Sequence, residues 1–153
     1  MKFALFFALS VASASLVAAP KQTITKEAAF NAIMMFRADP LSDDGRQAGG
    51  VVMLFVEQSH DVLVTLSSKT LSFLSNKSLP EKYRATLLAA FVVGNTDSQL
   101  LRHQKKDDSY AGVLQLIESY RQMQKKDPKL RVTEVEKFIE LQKRGELKKY
   151  VSS

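Results

Sequence analysis

The chain has 153 residues, 22 Lys plus Arg against 16 Asp plus Glu, a formal net charge of +6 and no cysteine. That length suits one domain with a packed core, and without cysteine no disulfide scaffold can hold it together. Beyond the N-terminus there is no run of 18 apolar residues, which excludes an internal membrane-spanning helix.

The first residues stand apart from the rest. Lys2 is a minimal basic start, residues 3–11 are apolar, and residues 12–19 supply small side chains, with Ala12-Ser13-Ala14 fitting the A-x-A cleavage rule. Cleavage after Ala18 or Ala19 is the alternative, with Pro20 unfavourable at the position that follows. We therefore expect a signal peptide over residues 1–19 and a single helical domain over 20–153, with no transmembrane span in the mature chain. An exported, cysteine-free protein suits a bacterial periplasm or the medium outside it. The Asn76-Lys77-Ser78 tripeptide would matter only in a eukaryotic secretory route.

Taken in order, Thr25 is a cap for a helix ending near Phe36, with Phe30, Ile33 and Met34 on its inner face and Met34-Met35 as core filling. Pro40 disfavours helix at Asp39. Ser42, followed by Asp43 and Asp44, starts a second helix. Gly49-Gly50 lacks the lysine and the preceding strand of a phosphate loop, so it reads as a site of close helix packing. Residues 51–56 are a continuous apolar run. Ala48, Val51, Val52 and Phe55 keep helical spacing, so a helix is preferred there, with a small hairpin between residues 51–56 and 62–66 as the alternative.

Residues 67–78 read as a short helix and a polar turn. The stretch over residues 78–101 is the expected centre: Ser78-Leu79-Pro80-Glu81 as a capping box, a broad apolar helix, a stop at Gly94, and a second start at Thr96-Asp97-Ser98-Gln99. Lys105 to Asp108 reads as a solvated turn. The helix over 109–126 places Tyr110, Val113, Leu114, Ile117 and Tyr120 inward, with Gln115, Glu118, Arg121, Gln122 and Lys125 outward. Thr133-Glu134-Val135-Glu136 reads as a third capping box, Val135, Phe138 and Ile139 face inward, and Gly145 ends that helix. A last turn tucks Leu147, Tyr150 and Val151 back. The expected fold is all-α: a compact bundle or stack of six to seven short helices in α-hairpins.

No residue pattern specifies a catalytic site, a cofactor or a metal. Glu57-x-x-His60 has the spacing of a di-iron helix, but Leu100 stands where His103 would need its glutamate. Ser59-His60-Asp61 is contiguous, whereas triads assemble across a fold. Asp39, Asp43 and Asp44 match no calcium loop and serve better as caps.

Charge is more informative. Residues 20–100 carry 8 basic and 8 acidic side chains, while residues 101–153 carry 13 and 8. Lys125, Lys126, Lys129, Arg131, Lys143, Arg144, Lys148 and Lys149 are the candidate binding residues for an acidic protein or an anionic envelope component, with nucleic acid disfavoured for an exported chain. The expected function is a secreted or periplasmic, non-enzymatic interaction module of the inhibitor or immunity type. The alternatives are a small envelope hydrolase with carboxylate acid/base chemistry, or a binder of anionic lipid or glycan surfaces.

Overall fold

The computed structural model describes residues 23–152, so the predicted leader and its cleavage site lie outside the described residues. The described chain is all-helical, with no strand: α1 (Lys26–Ala38), α2 (Asp43–Gln58), α3 (Glu81–Arg102), α4 (Ser109–Lys126), α5 (Thr133–Lys143) and α6 (Leu147–Val151), plus one 3-10 turn at Ser72–Ser75. The most extensive pairings are α1 with α2 and α3 with α4, and α2 lies against α3. α5 and α6 close over α4.

The first hairpin follows from local chemistry. Thr25 accepts the Ala28 N–H and Ser42 accepts the Gly45 N–H, each satisfying a donor that the first helical turn would otherwise orphan. Between them, the Asp39 carboxylate takes the Leu41 N–H and holds the four-residue link. Ala29, Ala32, Ile33 and Phe36 form the buried stripe of α1. Met34 and Met35 are 65% and 52% exposed, so the expected core filling is corrected: they fall outside the stripe that α2 and α3 cover. Residues 51–56 are helical, with Ala48, Val52 and Phe55 buried. Gly49 is the packing glycine there, since a Cβ would meet Phe36 and Ala89, whereas at Gly50 it would meet nothing.

The centre differs most from expectation. Gly94 does not stop a helix and Thr96 does not start one: α3 runs unbroken for 22 residues, about 33 Å at 1.5 Å per residue. Gly94 is needed for another reason. A Cβ there would lie 2.5 Å from the Ala111 carbonyl oxygen and 2.5 Å from Gln115 Cβ, and one at Gly112 would lie 2.8 Å from the Phe91 ring. These two glycines let α3 and α4 approach closely, and tertiary packing outweighs their helix-breaking tendency. The helix ends at His103, which takes the left-handed conformation at φ 51°.

Two further capping boxes are also unused. Pro80 is the N-cap of α3, and the Ser78 hydroxyl bonds Asn76 instead. Val132 precedes α5, with no side-chain cap. What orders the α4–α5 link is Tyr120. Its buried hydroxyl donates to Glu136 Oε1 at 2.6 Å and accepts from the Val132 N–H at 3.1 Å. Burial, and then the bond to Glu136, push that phenol up to about 12. Gly145, at φ 72°, ends α5 as the sequence implied, and Leu147 and Val151 of α6 are buried beneath.

Candidate functional site

The basic residues singled out from sequence do not assemble into one patch. Lys125 and Lys126 lie in the last turn of α4, while Lys148 on α6 approaches the Tyr110 ring in the first turn, 6.0 Å from its centroid. Tyr110 and Lys126 are 16 residues apart on α4, so about 24 Å of helix lies between the two groups. Several of the eight are already engaged. Lys126 bonds both oxygens of Asp39 at 2.9 and 2.7 Å, Lys143 pairs with Glu140, and Arg144 with Glu146. Arg131 folds its guanidinium onto the Pro128 and Leu130 carbonyls. The Lys126 partner holds the Asp39 carboxyl below its ordinary value, so Asp39 is a brace between the α1–α2 link and α4. Asp43 pairs with Arg46 of its own helix. Lys129 and Lys149 are exposed.

The structure instead gathers Lys69, Lys106 and Lys148, from three separate elements, around one cavity of about 520 Å³. Thr65, Ser67, Ser109 and Tyr110 also line it. Of these three lysines, the sequence points only to Lys148. Lys69 precedes the 3-10 turn, and its Nζ sits 4.4 Å from the centroid of Tyr150 on α6. A loop lysine 79 positions from Lys148 leaves no periodic signal to connect them.

Two carboxylates stand in the same cavity, and both are turned to structural work. The turn at residues 105–108 is solvated only in its lysine half; Asp107 and Asp108 are half-buried. Asp107 accepts from Asn95 Nδ2 at 3.0 Å, from the Thr65 N–H at 2.6 Å and from the Ser109 hydroxyl at 2.7 Å. Asp108 caps α4 through the Ala111 N–H, accepts the Ser98 hydroxyl at 2.6 Å, and pairs with Arg102 at 3.1 Å. Burial raises its pKa, but the Ser98 and Ala111 bonds and the charges of Arg102 and Lys148 outweigh this, leaving the carboxyl below its ordinary value. A general acid needs the opposite shift.

This network extends along α3. Asn95 is fully buried; its amide oxygen accepts from the Asp108 N–H and from Gln99 Nε2. Gln99 in turn pairs with the Leu63 backbone along one edge, accepting its N–H at 2.9 Å and donating to its carbonyl at 2.7 Å. On the neighbouring face, Asp97 pairs with Arg37 at 2.8 Å, and Arg37 Nε donates to Gln115. Gln115 is therefore buried rather than outward-facing, because α1 supplies a polar partner that the α4 pattern could not reveal.

His60 and His103, distant in sequence, line one smaller cavity of about 220 Å³ with Lys26 and Asp61. α2 ends at Gln58, so Glu57 and His60 do not share a helix face. Among the described residues no group of three or more His, Asp or Glu side chains is placed to hold a metal ion. No family model, curated protein or solved structure matches the chain.

Proposed function

We propose that the chain is an exported, non-enzymatic helical module that binds an acidic protein partner through a basic face. The supporting observation is the convergence of Lys69, Lys106 and Lys148 on one open cavity whose two carboxylates are already engaged by Asn95, Ser98, Ser109 and Arg102. Among the described residues neither Lys106 nor Lys148 has an ion-pair partner. Cations of one sign on a rigid concave surface attract anionic groups, at a strength that falls with salt. Export through the apolar leader places the partner in the envelope or outside the cell.

The direct experiment is a low-salt pull-down from envelope extract with the full chain and with a Lys69→Gln/Lys106→Gln/Lys148→Gln variant. An acidic protein retained by the parent and lost by the variant supports the reading. Retention unchanged by the variant overturns the basic cavity as the binding face. Sedimentation with anionic vesicles that is equally sensitive to the three substitutions would replace the protein partner by a lipid surface. N-terminal sequencing of the mature chain tests export: a start between residues 15 and 20 is expected.

A further inference from the structure

We infer that residues 62–66 form an open strand edge that takes an extended peptide from another protein as an added β-strand, in the groove between this segment and α2. The inference rests on the reading of the chain as a protein-interaction module only in taking a polypeptide as the partner; it uses a different surface.

Residues 62–67 run without helix, turn or bend, and Val62, Val64 and Thr65 are residue types that favour strands. One edge of this run is paired, though with side chains instead of a strand. The Gln99 amide exchanges two hydrogen bonds with the Leu63 peptide, the pattern one residue of a neighbouring strand would make, and Asp107 accepts the Thr65 N–H. Residues 63 and 65 are thus turned toward α3 and the α4 N-terminus. Peptide groups in an extended chain reverse direction at each residue, which turns those of Val62, Val64 and Leu66 the other way. Among the described residues, no hydrogen bond is made by the N–H or carbonyl of any of these three. Val62 is itself buried, so the part of this row open to a partner is Val64 and Leu66, and an unpaired edge of this kind is a template for strand addition.

The groove beside it decides the occupant. Val64 and Leu66 face Met53 and Val56 of α2 across a cavity of about 180 Å³ floored by Val92 of α3. A cavity of about 150 Å³ holds a benzene ring, so this one suits a single branched aliphatic side chain. Leu66 is 59% exposed and Met53 38%, so apolar surface lies open on both walls. The one charged residue of the lining is Glu57, which has no ion-pair partner among the described residues. The fitting ligand is an extended segment with an aliphatic residue for the cavity and a lysine or arginine near it for Glu57.

The test selects a random eight-residue peptide library on the immobilised full chain, then follows backbone amide exchange with a selected peptide bound. Selected peptides are expected to carry an aliphatic residue flanked by a basic one, and to slow exchange at Val64 or Leu66 at least tenfold while leaving Leu63 and Thr65 unchanged. Val64→Pro removes a donor that makes no bond within the chain and should weaken peptide binding at least tenfold. Should Val64→Pro lose helical signal, Leu66→Asp on the groove wall is expected to give the same loss. Glu57→Lys should reverse the preference for the basic flank. Failure to select any peptide, or selected peptides that bind Val64→Pro and Leu66→Asp like the parent, overturns the inference. So does a self-associated chain whose dimer these substitutions dissolve without peptide, which would make the occupant a second copy. Lys106→Gln/Lys148→Gln should leave peptide binding intact, which separates failure of this groove from failure of the basic cavity.

Discussion

Along the first half of α3, Leu87, Ala90, Phe91 and Val93 are fully buried among apolar neighbours; along residues 95–99 the same helix buries Asn95, Thr96, Asp97, Ser98 and Gln99 almost as completely. The apolar half is held by area removed from water, which is tolerant of detail. Apart from Thr96, the polar half is held by partners that must each be present, because a buried polar group without one costs more than a made bond returns. It also connects two features of the surface: Asn95 and Ser98 hold the carboxylates that line the basic cavity, and Gln99 holds the paired edge of residues 62–66. The apolar half is scaffold; the polar half positions what the chain displays.

Substitutions at neighbouring positions sharpen this contrast. Phe91→Ala should be the most damaging, costing about 3–5 kcal/mol in denaturant unfolding, since it opens a cavity beside Gly112. Asn95→Ala should cost about 2–3 kcal/mol by leaving Asp107, Gln99 and the Asp108 N–H short of a partner. It should also speed amide exchange at Thr65, an effect Phe91→Ala reaches only through global unfolding.

Gly94→Ala should cost about 1–3 kcal/mol despite better helix propensity, because the added Cβ meets backbone on α4. A gain in thermal midpoint for this variant would disprove the close approach of the two helices. At Thr96 the expectation changes sign. Its hydroxyl is buried with no hydrogen-bond partner, so Thr96→Val should be neutral or stabilising by up to about 1 kcal/mol.

The smallest effect is in pH. The Asp108 carboxyl lies below its ordinary value of 3.8 in the fold, so its contribution is fully present above that value and is lost as pH falls through the folded one. Stability of the parent should decline below about pH 4, and that part of the slope should vanish in Asp108→Asn.

A local capping signal sets a helix start only where packing agrees with it. Thr25 and Ser42 cap because each precedes a helix that packing also wants to begin there. Thr96 has the same local pattern and does not cap, since α4 packs closely on α3 at Phe91 and Gly94 and rewards continuity there. Capping boxes at Ser78 and Thr133 also go unused. Of the cationic cavity only Lys148 was legible, because Lys69 and Lys106 lie in connections whose position depends on the whole fold. The Asn95–Gln99 network was hidden for a related reason: buried polar residues look like surface ones until their partners are known.

The sequence by itself determined that the chain is helical, that α4 and α5 present one apolar face inward, and that Gly145 ends α5, because each depends on periodicity or backbone freedom within a few residues. Tertiary structure alone decided that Gly94 joins two predicted helices into one, that Gln115 faces Arg37, and that residues 62–66 remain extended with one edge held by α3. Those outcomes rest on contacts between residues 17 to 78 positions apart, where a residue's partner outweighs its own tendency.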